Sequence, residues 1–454
     1  MSKIFYTIVS SVICSIPFFL SGVNENIVLL SLHILMVMIC SYSIFSYTDR
    51  PYSLHKIVNL FFLFFLSIAP YLQFKYDVQL WGGMPFREED YIFTSTIILF
   101  IMVIYNSLYF AFYRIKNVSI ANFFYRKLKV DFIPAKINNK EFLVLLSLCF
   151  IALGFVFYLN NFNIYLLFFR GGDLADSNLI DEATNISQPI SLLIDKFFTP
   201  LPCVIFLLAY KLRTSKIMLF IFALMMLLVA FPTAMPRFSA ASIYIPVALT
   251  LFNIFEKKNM FVICFVFGLL VLFPFLDNFR YVTDNTTIHI GFDFSMFIEE
   301  HFDSYSSCLR IITNDLSTYG RQLLGSIFFF IPRSFWPSKP IGSGAVISEK
   351  LGLSFDNISC CYFAEGYINA GFLGILVFTI FLVVFTVSFD NLYWNIIKSK
   401  NVNSPAFEIL YMFLLGLIFF ILRGDLMSSF AFTVGFICTI FFINYILKLM
   451  RKIK

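Results

Sequence analysis

The sequence predicts an all-α polytopic membrane protein with about twelve transmembrane helices, and three observations carry that prediction. Hydrophobic residues make up 59% of the 454-residue chain and charged residues 13%, at a mean hydropathy of +0.84, far from the balance of a soluble domain. Apolar runs close to the roughly 20 residues a helix needs to cross a bilayer recur along its length. The basic residues between those runs alternate in density, as they do when successive connections lie on opposite sides of a membrane.

Taken in order, the runs place spans at about 4–20, 26–46, 57–73, 91–113, 141–159, 190–210, 217–234, 238–255, 260–276, 367–389, 408–422 and 429–447. The first run, Ile4 to Leu20, is followed by SGVNEN without a small-x-small cleavage pattern, so it reads as a retained span rather than a secretory signal. With a cytoplasmic amino terminus, the connections divide the 33 Lys and Arg into 21 inside and 12 outside. The inside set includes the stretch from Arg114 to Lys140, KLRTSK, EKKN and the terminal KLMRKIK. The 27 acidic residues divide 6 inside and 21 outside. Both termini are therefore expected in the cytoplasm, and the chain falls into three blocks: spans one to nine over residues 1–276, a long outside loop over 277–366, and spans ten to twelve over 367–454.

The cations differ in kind as well as number. Inside there are 16 Lys and 5 Arg, outside 4 Lys and 8 Arg. A planar guanidinium fork suits two-point binding of phosphate or carboxylate, whereas Lys is a hydrated point charge. The outside arginines sit at span ends or in the long loop: Arg170, Arg237, Arg280, Arg310, Arg321, Arg333 and Arg423, with Arg87 in an earlier loop. Any one of them is better explained by snorkelling or by pairing with acids such as Asp173 or Asp425. As a set they read as anion ligands. Arg237 (FPTAMPRFSA) and Arg423 (ILRGDLMSSF) lie in very short turns flanked by apolar residues, where an ionisable group marks a functional site. Arg170 precedes a Gly171-Gly172 turn in a connection of about thirty residues after the fifth span.

The long polar stretch, Asp277 to Glu365, is where chemistry is expected. Its apolar piece, Leu323 to Ile331, is too short to cross; it lies at the interface or dips into a cavity, with Pro332 ending its helix and Trp336 as a belt aromatic. Phe294 to Ile312 has helical periodicity, with Asp293 as N-cap. Phe294, Ile298, His301, Tyr305, Cys308 and Ile312 form one packed stripe, while Glu299, Glu300, Asp303 and Arg310 point elsewhere. His301 is one of four histidines; a packed residue and a catalyst are about equally good readings of it. The GSG at Gly342 to Gly344 reads as a turn. Of nine cysteines, only Cys308, Cys360 and Cys361 fall in this loop; a Cys308 bridge to either of the other two and three free thiols are both open. No Cys/His spacing suits zinc, and no Walker, GxGxxG, HExxH or GxSxG motif occurs.

The stretch IPRSFWPSKP, followed by Asn357, Glu365, Gly366, Gly371 and Gly374, resembles the O-antigen polymerases, the Wzy-type oligosaccharide repeat-unit polymerases. The likeness runs from about Phe292 to Gly374 in motif detail, and span count, loop placement and the turn at Arg423 extend it over most of the chain. It implies a GT-C-like glycosyltransferase of the bacterial inner membrane, working on the periplasmic face without metal or other cofactor. Such an enzyme transfers a growing glycan from undecaprenyl pyrophosphate to an incoming undecaprenyl-linked repeat unit, with inversion. On that reading Arg170, Arg237, Arg280 and Arg423 hold the lipid pyrophosphate, Arg333 and Lys339 close on it from the loop, and His301, Asp303 and Glu365 are the candidate general bases. Glu365 is also explained as a helix-start carboxylate. The expected partners are the lipid-linked oligosaccharide and membrane lipid, with room for a separate chain-length regulator protein and none for nucleic acid. A lipid-linked oligosaccharide flippase or an O-antigen ligase is the alternative, although the chain has no half-repeat of the kind transporters carry.

Overall fold

Apolar runs in lipid must satisfy their backbone internally, and helices are the simplest way to do so. The computed structural model describes residues 3–114, 119–128, 136–169, 194–272, 274–275, 294–355, 358–399 and 404–452. It is 76% helical, with no strand among the described residues. In chain order the helices are α1 (Lys3–Ser15), α2 (Ile27–Ser46), α3 (Leu54–Lys75), α4 (Glu88–Phe112), α5 (Ser119–Leu128), α6 (Asn139–Leu159), α7 (Leu201–Lys211), α8 (Lys216–Val229), α9 (Arg237–Leu251) and α10 (Met260–Leu272). Then come α11 (Ser304–Thr313), α12 (Arg321–Ile327), α13 (Ser343–Leu351), α14 (Tyr362–Asn391), α15 (Pro405–Arg423) and α16 (Leu426–Lys452).

Among the described residues, seven helices are long and apolar enough to cross a membrane: α2, α3, α4, α6, α14, α15 and α16. The other expected spans fall on the shorter apolar helices α1, α8, α9 and α10, and on α7, ahead of which residues 190–193 lie outside the described residues. Local chemistry sets several starts. Asn26 accepts from Val28 N and Leu29 N, Ser53 from Lys56 N, and Asn138 and Glu141 cap α6 reciprocally.

α3 is buried along its whole length, with α2, α14 and α15 around it. Its first turn is pinned by Asp390 of α14, whose carboxylate accepts from Leu54 N, His55 N, Tyr109 Oη and Tyr411 Oη. Arg50 closes this end by donating to Tyr109 Oη and Asn391 Oδ1.

Three expectations change. The helix expected over Phe294 to Ile312 is broken: 3-10 turns at Phe294–Ile298 and Glu300–Phe302 precede α11, with Glu299 extended between them. The break lets Phe297 and Phe302 both stack on α3, against Phe64 and Phe65. Gln73 Nε2 then donates to the carbonyls of Phe297 and Phe302, which a continuous helix would have spent on its own ladder. His301 therefore leaves the α11 stripe, and Asp303 and Arg310, expected to point away from packed surface, are buried. The proposed N-cap Asp293 lies outside the described residues. Further on, α12 ends at Ile327, five residues before Pro332, and Gly342 caps α13 instead of turning the chain.

The third change concerns α14. It is interrupted at Ala370 and Gly371, the latter at φ 59°, where a side chain is strained. In one continuous helix Gly366 and Gly374 would stand about 12 Å apart; here their backbones touch, and Tyr362 Oη donates to Phe378 O at 3.0 Å. Residues 362–369 thus fold back on 372–391, so the straight apolar helix begins after the break, not at 367. A Cβ on Gly374 would overlap Gly366 O, while one on Gly154 meets nothing. Gly374→Ala is expected to cost about 3 kcal/mol or more and lower the unfolding midpoint in detergent, with Gly154→Ala neutral or slightly stabilising. Equal midpoints for the two would mean the fold-back is absent.

Candidate functional site

The site lies where the end of α15, the start of α9 and the segment ahead of α11 converge. Arg423, the last residue of α15, donates from Nε to His301 O at 2.9 Å and from Nη2 to Asp303 Oδ1 at 3.4 Å. Its guanidinium lies over the Phe238 ring, 4.8 Å from the centroid, a cation–π contact that strengthens as water is removed. Phe238 follows Arg237, the first residue of α9, whose Nη2 stands 2.5 Å from His301 Nε2 and 3.2 Å from Nδ1. Guanidinium nitrogens only donate, so the imidazole must present a lone pair to Arg237.

Asp303 anchors the cluster. It accepts from Ser359 Oγ at 2.5 Å, Ser359 N at 3.2 Å and Trp81 Nε1 at 3.4 Å, besides Arg423. With side-chain exposures of 4% for Asp303 and 15% for Arg423, this is a largely desolvated pair, and neither charge is tolerated there alone. Arg310 braces the same wall by donating to Leu80 O and Gly82 O.

Glu365 is the hub of a neighbouring cluster. Fully buried on the first turn of α14, it accepts from Ser343 Oγ at 2.8 Å and Leu426 N at 3.0 Å, joining the starts of α13, α14 and α16. Asp425 does similar work beside it, accepting from Gly344 N and Ser428 N. Only Gly424 separates Asp425 from Arg423, so the two clusters share one turn. Glu365 itself faces helix starts, as a helix-start carboxylate does.

Of the residues singled out in the sequence, Arg237, His301, Asp303 and Arg423 are brought together. Arg333 and Lys339 are not: Arg333 donates to Lys339 O and Pro340 O, and Lys339 Nζ to Phe329 O and Ile331 O, so both brace their own loop. Arg170 and Arg280 lie outside the described residues. Trp81, Ser359 and Phe238 join the site without having been expected there. One of three tryptophans, followed by Gly82-Gly83, was a readable signal; nothing in the sequence marks Ser359. Cys308 Sγ faces Cys361 Sγ at 3.0 Å with both thiols unbridged, and the Cys361 contact and burial hold the Cys308 thiol protonated. Among the described residues no group of three or more His, Cys, Asp or Glu is placed to hold a metal.

The arrangement can grip an anion with two guanidinium forks and receive a proton on an imidazole between them. Its internal coupling is measurable. Asp303→Ala strips Arg423, Ser359 and Trp81 of an acceptor and is expected to cost about 3 kcal/mol. Removing the orphaned cation as well, in Asp303→Ala/Arg423→Leu, should recover part of that loss in the thermal midpoint of the purified protein. Additive losses would show that the pair is not coupled.

Comparison with protein-family models, with curated proteins and with solved structures gives no match, so the reading of the site rests on its own geometry.

Proposed function

We propose that this chain is an O-antigen polymerase: an inverting, metal-independent glycosyltransferase of GT-C-like architecture, with about twelve spans, in the bacterial inner membrane. It would join undecaprenyl-pyrophosphate-linked repeat units on the periplasmic face, with both termini cytoplasmic. The observation that carries this reading is the convergence of Arg237 and Arg423 on His301 at one end of apolar helices. Membrane-embedded donors with a pyrophosphate leaving group need cations at that depth, and an acceptor hydroxyl needs a base beside them.

In the reaction so proposed, the acceptor hydroxyl oxygen attacks the anomeric carbon of the growing glycan. The new carbon–oxygen bond forms as the bond to pyrophosphate breaks, which inverts the anomeric centre. The hydroxyl proton passes to a base, for which His301 is the best placed of the three candidates. Arg237 holds the imidazole lone pair; phosphate oxygens that draw Arg237 away would free it. Arg423, kept in place by Asp303 and Phe238, would share the charge that develops on the leaving group.

A hydrogen bond to a charged group contributes roughly 1.5–3 kcal/mol, so losing one phosphate ligand should cost about tenfold to a hundredfold in turnover. Lys keeps the charge and loses the fork, so Arg237→Lys and Arg423→Lys are expected to shorten or abolish the glycan ladder made from purified lipid-linked repeat units. Arg87→Lys is the comparison: Arg87 is exposed and pairs with Asp90 in the first turn of α4, the helix it caps. Wild-type polymerisation by both Arg237→Ala and Arg423→Ala would remove the pyrophosphate site from this cluster.

Deleting the gene separates the classes of activity. A polymerase defect leaves lipopolysaccharide capped with a single repeat unit, since flipping and ligation continue. Loss of every repeat unit would identify a flippase or a ligase instead. A reporter fused after Ser343 should read periplasm, and a cytoplasmic reading would reverse the face on which the chemistry is placed.

A further inference from the structure

Arg237 borders a second feature. A cavity of about 430 Å³ opens between α9, α10 and α15, and among the described residues Arg237 is the only charged side chain lining it. Along α9 the lining runs from Arg237 through Ala241 and Tyr244 to Ala248 and Leu249. The thirteen residues from Arg237 to Leu249 cover roughly 18 Å of helix, more than half of the roughly 30 Å hydrocarbon core. The facing wall runs along α10 between Leu272 and Phe261, and Phe419 of α15 closes the back. Tyr244 presents only its ring, because its hydroxyl donates to Ala230 O at 2.7 Å.

We propose that this cavity seats the isoprenoid tail of a polyprenyl pyrophosphate, with its phosphates at Arg237. The occupant follows from shape and charge together. A compact apolar ligand would leave most of a lining of that length uncovered, and an uncharged chain would offer nothing to the guanidinium at its end. Moving a tail from lipid into this slot gains little hydrophobic energy, since bilayer and slot are equally apolar. The slot therefore sets position: it aligns the chain so that the headgroup arrives between Arg237 and Arg423. The inference rests on the proposed lipid-linked substrate and adds where the lipid lies.

The test is photolabelling of the full chain in nanodiscs with undecaprenyl pyrophosphate carrying a diazirine on its tail, followed by peptide mapping. Labelled residues are expected within 237–249 and 260–272. Unlabelled undecaprenyl pyrophosphate should compete, and a hundredfold excess of phosphatidylglycerol should not. Ala248→Phe, which fills the inner end of the slot, should cut labelling of these segments at least tenfold. Labels confined to other helices, or equal competition by phosphatidylglycerol, would overturn the assignment. The map on the unaltered chain decides this even where Ala248→Phe fails to fold. Labelling here in a protein that does not polymerise would keep the slot and remove the polymerase; polymerisation with labels elsewhere would do the reverse.

Discussion

Arg423 and Asp303 hold each other in surroundings where neither charge is stable alone. Stripping one partner from such a pair leaves an uncompensated charge at a cost of several kcal/mol. The segment ahead of α11 is therefore not free to lie anywhere on the surface. It is fastened to the end of α15 through Asp303, and to the end of α3 through Gln73, which takes two of its carbonyls. Those two attachments bring His301 within reach of Arg237. The break at Glu299 is their consequence: a continuous helix would keep its carbonyls for itself and turn Asp303 away from Arg423.

The two ends of the bundle use the same residue types for different ends. Around Asp390, four donors from α3, α4 and α15 occupy the carboxylate, and Arg50 is spent on Tyr109 and Asn391. That arrangement satisfies a buried charge and fixes helix positions. At the opposite end Arg423 spends two of its five N–H donors on described partners. Its neighbour Arg237 faces both the imidazole and an apolar slot. The first network ties helices together through Asp390, although Arg50 Nε is buried in it without a hydrogen-bond partner. The second sets two guanidiniums and an imidazole beside an apolar cavity.

Glu365 and the glycines near it supply the frame for that end. Its carboxylate joins three helix starts, and the contact of Gly366 with Gly374 folds 362–369 back so that this can happen. The same fold-back brings Asn369 to Leu323 N, where it caps α12. Glu365 thus works on the backbone around the site, while His301 stands within it.

Much of the architecture was legible from one dimension. Apolar run length decides which segments can be long apolar helices, because it acts through residues adjacent in the chain. Arg237 and Arg423 were legible as a pair for a similar reason: charges in short turns between apolar runs must sit at helix ends, and equal parity puts them at the same end. Periodicity misread Phe294 to Ile312, because the stacking of Phe297 and Phe302 on α3 outweighs a local helical pattern and no local rule reports where α3 will be. Arg333 and Lys339 have the composition of anion ligands, yet carbonyls of their own loop reach them first. The partners of Asp303, the fold-back at Gly371 and the slot beside Arg237 depend on contacts between segments far apart in the chain. Tertiary packing alone decides those, because hydropathy and spacing record what a residue prefers and not which distant residue meets it.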